Sequence, residues 1–112
     1  ELSDETTQVI LRKSISLPIP TEFALFPAYP NPFNPNTVIR YTLSEQTFVT
    51  IKVFDVLGKE KSSLVNMYEE PGIKSIQWDG RDKYGKPVTG GVYLYQIKAG
   101  EYIQTRKMVL LK

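Results

Sequence analysis

From Thr37 to the end of the chain, apolar and polar residues alternate with period two, and no segment sustains the i, i+3, i+4, i+7 spacing of an amphipathic helix. Ile39, Tyr41 and Leu43 oppose Val38, Arg40 and Thr42, and Val49, Ile51 and Val53 oppose Thr50 and Lys52. Each run predicts a half-buried strand, over 37–43 and 48–55, with the short polar link 44–47 joining antiparallel neighbours. Gly58 falls where a tight hairpin with a bulge needs positive φ, so the chain should reverse into a strand over 60–68. Pro71-Gly72 marks the next turn, and 73–78 resumes the alternation with Ile76 and Trp78 on one face, the tryptophan as a core anchor. Residues 79–91 hold Gly80, Gly85, Pro87, Gly90 and Gly91 and predict a long irregular connection. Two strands remain, 91–99 with Tyr93, Tyr95 and Ile97 on one face, and 102–111. Short strands at this spacing, with turn signals between them and no helix, predict an all-β fold. The expected architecture is an immunoglobulin- or fibronectin-III-like antiparallel β-sandwich of about seven strands.

The alternation does not reach back through Tyr29-Pro30-Asn31-Pro32-Phe33-Asn34-Pro35. Proline fixes φ and lacks an N–H, and it pushes the residue before it to extended geometry, so Tyr29, Asn31 and Asn34 should be β or polyproline-like. Asparagine amides bond readily to nearby backbone. Tyr29, Asn31, Pro32, Phe33 and Asn34 are therefore expected to form a stiff lead-in clamp. Residues 1–22 read as a linker or the end of an upstream domain, and 23–112 as the sandwich. Residues 8–17, with Val9 and Leu11 on one face and Ile10 on the other, read either as the last strand of an upstream domain or as an added edge strand. Glu1 in place of Met suggests a piece of something longer, and the apolar run 108–111 before Lys112 favours a natural C-terminus.

Composition narrows the function classes. A formal charge of +2, dispersed along 112 residues, does not predict a nucleic-acid face. With no cysteine there is no disulfide framework or thiolate chemistry, and with no histidine there is no Ser-His-Asp triad or imidazole metal ligand. No apolar run approaches the ~20 residues of a membrane-spanning helix. Asp55, Asp79 and Asp82 sit in glycine-containing loops that could hold Ca²⁺, but without EF-hand spacing they read as turn-stabilising acceptors. The expectation is a non-enzyme with no metal and no cofactor. Tyr84, Tyr95 and Tyr102 are the candidates for a sugar-stacking strip, although alternation assigns Tyr95 to the core.

Six blocks taken in order resemble one family. They are the 29–35 segment, Thr37-Val38-Ile39-Arg40-Tyr41, Val53-Phe54-Asp55-Val56-Leu57-Gly58, Trp78-Asp79-Gly80-Arg81-Asp82, Gly90-Gly91-Val92-Tyr93, and Arg106-Lys107-Met108-Val109. The pattern resembles the type A C-terminal sorting domain of the type IX (Por) secretion system over about 23–112. Over 78–93 it is also similar to the immunoglobulin-like domain of flagellar hook-capping proteins.

This resemblance implies a non-catalytic sorting signal at the end of an exported cargo. The domain would be recognised in the periplasm and directed through the outer-membrane translocon to the cell surface or medium. The implied partners are the translocon, its shuttle protein, in some members a sortase-like cysteine protease, and the covalently attached upstream cargo. The residues it carries over are Gly91 and Tyr93 of a Gly-x-Tyr element and the terminal Lys107, Met108, Val109 and Lys112. A bland reading stands beside each. Gly91 starts a strand tightly, Tyr93 fills the core, and the lysines keep an edge strand soluble. The terminal strand is expected to offer a free end to a partner sheet, and trimming residues 108–112 to abolish export while leaving a largely folded domain if that strand lies at an edge. A carbohydrate-binding or passive spacer module of an extracellular hydrolase is the alternative.

Overall fold

The computed structural model describes residues 19–112, and the segment 8–17 lies outside the described residues. Seven strands form two antiparallel sheets. They are β1 (Ala24–Leu25), β2 (Thr37–Leu43), β3 (Thr47–Asp55), β4 (Glu60–Glu69), β5 (Gly72–Trp78), β6 (Gly91–Ala99) and β7 (Tyr102–Leu110). One sheet has the order β1-β2-β5 and the other β4-β3-β6-β7, which is the sandwich that the alternation predicts. Six of the strands, β2 to β7, begin and end within one residue of their expected limits. β1 was not foreseen, because two residues are too few to show a period.

Alternation decides the core directly, since successive side chains of a strand face opposite sides of the sheet. Ile39, Tyr41 and Leu43 from β2, Val49, Ile51 and Val53 from β3, and Tyr93, Tyr95 and Ile97 from β6 all turn inward and are buried. The turn at Gly58 has φ of 88°, and the β3–β4 register shifts between Ile51 and Lys52 and again between Val53 and Phe54, as expected of a bulged hairpin.

Polar atoms inside the sandwich are bonded from one sheet to the other. The Tyr41 hydroxyl donates to Glu69 at 2.7 Å, the Tyr95 hydroxyl to the Phe26 carbonyl at 2.8 Å, and Arg106 Nε to the Leu25 carbonyl at 2.7 Å. Burial, with Glu69 beside it, holds the Tyr41 phenol well above its ordinary range, so it stays a neutral donor.

The path of the chain gives the sandwich two distinct ends. At one, Phe23 stacks on Tyr102 at 5.7 Å and Thr42 donates to the Glu22 carbonyl at 3.0 Å, beside the turns around residues 44–46, 70–71 and 100–101. At the other lie the 55–60 hairpin, the 79–90 connection, the lead-in loop and the end of β7.

Candidate functional site: a latch at the end of the last strand

β7 is the outermost strand of its sheet, and the 29–35 segment crosses to meet it. Backbone pairing holds Tyr29 to Val38 in both directions at 2.9 Å, and Thr37, fully buried, donates its hydroxyl to the Pro30 carbonyl at 2.8 Å. Three residues on, Phe33 pairs in parallel with β7. Its N–H donates to the Val109 carbonyl at 2.9 Å, and its carbonyl accepts from the Leu111 N–H at 2.8 Å. Asn31 completes the seam, its Oδ1 accepting from the Val109 N–H at 2.9 Å while its Nδ2 approaches the Lys107 carbonyl at 3.5 Å.

The backbone edge of β7 is therefore already paired from Val109 to Leu111. This corrects the expectation of a free terminal end. Pro30, Pro32 and Pro35 have no N–H to offer, and the groups of the segment that reach β7 are the Phe33 backbone and the Asn31 side-chain amide. The burial of the same strand end weighs against the expectation that the domain stays folded without 108–112. Met108 and Leu110 point inward and are 0% and 1% exposed.

Phe33 carries the latch into the core. Its ring is buried and lies 5.7 Å from that of Trp78, which in turn meets Tyr93 edge-on at 5.4 Å. Trp78 Nε1 donates to the Arg81 carbonyl at 2.9 Å, and the Tyr93 hydroxyl to the Thr89 carbonyl four residues upstream at 2.5 Å. A tyrosine near the start of a strand bonding back to the preceding corner is a recurrent device of immunoglobulin-type sandwiches. Gly80 fits this junction tightly, since its φ is 75° and a β-carbon there would lie 3.2 Å from the Pro35 carbonyl oxygen. The blocks around residues 29–35, 78–82, 90–93 and 106–109, far apart in the chain, thus meet at one end of the sandwich.

The candidate residues fall into two groups. Tyr93, Met108 and Phe33 are buried, and Gly91 starts β6 at φ of 149°, where an L side chain is strained. Lys107, Lys112, Asn31, Pro32 and Asn34 are exposed, and Val109 is half-buried. Tyr29 is held by its backbone while its ring is 70% exposed. Lys107 and Val109 share the outer face of the four-stranded sheet with Val92 and Leu94 of β6. The three tyrosines named for sugar stacking do not form a strip. Tyr95 is buried, Tyr102 is half-buried against Phe23 at the opposite end, and Tyr84 is exposed on the 79–90 connection.

Two loops beside the latch are copies of one turn, a repeat visible in the sequence as Asp55-Val56-Leu57-Gly58-Lys59 and Asp82-Lys83-Tyr84-Gly85-Lys86 and missed by strand-by-strand reading. In each, the aspartate Oδ1 accepts from the N–H groups two and four residues on, at 2.9 to 3.0 Å, and the glycine N–H returns to the aspartate carbonyl. The glycines take φ of 88° and 84°. These N–H donors, those of Lys59 and Lys86 foremost, hold both carboxyls below their ordinary value. Among the described residues no group of three or more acidic side chains is placed to hold a metal ion.

The aspartate shifts carry a pH dependence. A carboxyl lowered in the folded state stabilises above its unfolded value of about 3.8, and that contribution is lost as pH falls through the lower folded value. Urea midpoints measured from about pH 6 down to about pH 2 are expected to drop below pH 4. The Asp55→Asn/Asp82→Asn double variant, which keeps acceptor oxygens without charge, should show a shallower drop. An equal drop in both proteins would count against the assignment.

Residues 27–111 match the family described as the secretion system C-terminal sorting domain. No curated protein matches the chain. Among solved structures, dimeric latent PorU from Porphyromonas gingivalis superposes with a TM-score of 0.62 at 22% identity, over 80% of this chain and 9% of that one. PorZ, a surface component of the type IX secretion system of the same organism, gives 0.54 at 19% identity, over 80% and 11%. FlgD from Xanthomonas campestris, involved in flagellar hook capping, gives 0.55 at 18% identity, over 89% and 72%. At these identities the likeness is one of fold, and the chain spans about a tenth of the length of the first two.

Proposed function

Because the chain belongs to the family of secretion-system C-terminal sorting domains, we propose that it is a non-catalytic address of the type IX system. It directs an exported cargo from the periplasm through the outer-membrane translocon to the cell surface or medium. The observation that carries this reading is the family match over 27–111, which takes in every block that meets at the latch. The fold shared with PorU and PorZ supports it.

Cargo is joined on the N-terminal side, and the chain enters the sandwich at the end opposite the latch, so the latch end faces away from the cargo. In this reading the translocon and its shuttle protein meet the outward side chains of Lys107, Val109 and Lys112, while Met108 and Tyr93 act by holding β7 and β6 in place. A sortase-like cysteine protease, where the cargo is processed, would act in the segment before Phe23.

The test is to fuse the whole 112-residue chain to the C-terminus of a periplasm-targeted fluorescent protein in a bacterium with an active type IX system. Fluorescence is expected at the surface or in the medium, and is expected to stay in the periplasm when the translocon is deleted. Retention in the periplasm of an intact system would overturn the proposal. Lys107→Ala/Val109→Ser, which alters one exposed and one half-buried side chain of the outer face, should reduce export with little change in the melting temperature.

A further inference from the structure

The twin turns do more than close their strands. Each carries an apolar residue at its tip, and the two turns are close neighbours, with Lys59, Lys61, Lys83 and Tyr84 lining one hollow. The Lys83 N–H donates to the Lys61 carbonyl at 2.7 Å, which seats the second turn against the start of β4, directly after the first. Leu57 is 90% exposed, Tyr84 80% and Val56 64%, and none belongs to the core. A strand-capping turn needs no large apolar side chain at its tip, since the aspartate and glycine already fix its geometry. Large apolar groups held in water at neighbouring tips therefore point to an interaction surface.

Charge identifies the kind of surface they meet. Lys59, Lys61, Lys83 and Lys86 surround the tips. The acids at this end balance part of that charge. Asp55 accepts from its loop N–H groups and lies in the field of Lys59 and Lys61, Asp82 does the same with Lys61 and Lys86, Glu60 pairs with Lys52 at 3.5 Å, and Asp79 pairs with Arg81 at 3.8 Å. These are the two ion pairs among the described residues, and none of the four lysines takes part in either. The turns at the opposite end instead carry Glu45, Glu70 and Glu101, with Glu69 ending β4 beside them. The molecule is thus polarised along its length, with its lysine-ringed apolar tips at one end and acids at the other.

We propose that the paired turn tips dock on an anionic lipid bilayer, with Leu57 and Val56 entering the acyl boundary, Tyr84 lying at the headgroup level and the four lysines facing lipid phosphates. Apolar insertion and cationic attraction are the two contributions that hold a peripheral protein on a membrane, and tyrosine favours the interface because one end of its ring is polar. The acidic turns at the far end are repelled by the same surface, so docking has one orientation, tips down and cargo end away. The inference rests on the export reading only in that an exported protein passes along an anionic envelope bilayer.

Vesicle co-sedimentation of the purified 112-residue chain tests it, using phosphatidylglycerol/phosphatidylethanolamine vesicles against phosphatidylcholine vesicles. Binding to the anionic vesicles and its decline with added salt are expected. Leu57→Ser/Tyr84→Ser should lower partitioning about tenfold with an unchanged melting temperature, since both side chains lie outside the core. Lys59→Gln/Lys83→Gln/Lys86→Gln should abolish the preference for anionic lipid. Failure to sediment with anionic vesicles, or binding unaltered by the serine variant, overturns the proposal. So does capture by an acidic polypeptide without vesicle binding, which would make the surface a protein site. A chain that reaches the cell surface but ignores vesicles overturns only the bilayer surface, and one that binds vesicles yet stays in the periplasm overturns only the export reading.

Discussion

Deletion of residues 108–112 is expected to unfold the domain as well as to silence it. Met108 and Leu110 are buried, and removing a buried side chain of this size costs about 2–5 kcal/mol. The two together approach the ~5–15 kcal/mol that holds a typical domain folded. The deletion also removes the β7 partners of Gly91, Val92 and Tyr93 and leaves the Phe33 backbone without its parallel neighbour. Thermal denaturation followed by circular dichroism should show no cooperative transition, whereas deletion of 111–112 alone, which removes exposed side chains and one backbone bond, should cost about 1 kcal/mol. A cooperative melt within a few degrees of the full chain would sink the claim. The comparison bears on function, because lost export from the longer deletion reports loss of fold as much as loss of a recognition sequence.

Phe33→Ala is expected to be the most damaging single change outside the strands, costing about 3–5 kcal/mol. Its ring is 2% exposed and packs on Trp78, so truncation leaves a cavity beneath the latch. The consequence should be local as well as global. Amide exchange at Val109 and Leu111 should quicken more than exchange in β3, since the Val109 amide depends on the Asn31 side chain and that of Leu111 on the Phe33 carbonyl. Asn31→Ala supplies the contrast, because it frees the Val109 N–H without opening the core and should cost about 1–2 kcal/mol. Uniform exchange changes across β3 and β7 in the Phe33 variant would show that the segment is ordinary core and no latch.

How much of this was legible beforehand differs from element to element. β2 to β7 were plain in the sequence because each has several inward residues at period two, and Trp78 was placed in the core by the same rule. β1 was not, since Ala24–Leu25 is too short to repeat anything. The stiffness of the 29–35 segment followed from its prolines, but its partner did not. Asn31 bonds a residue 78 positions away, and no local pattern encodes that distance. Of the candidate site, the Lys107, Met108 and Val109 run was identified, yet its division into a buried Met108 and outward Lys107 and Val109 acquired meaning only once β7 was known to be latched. The twin turns were legible as an Asp-x-x-Gly-Lys repeat, although nothing in the repeat says that the two copies are neighbours.

The all-β class, the strand limits, the inward faces and the turn chemistry could be read residue by residue, because strand periodicity and the φ demands of glycine and proline are local properties that each residue carries wherever it goes. What no local property foretells is that the end of β7 is covered, that the blocks shared with the sorting domains meet around Trp78, and that the two turns carrying Leu57 and Tyr84 are neighbours. Those are relations between surfaces remote in the chain, and they are fixed by which strands become neighbours when two sheets close over one core.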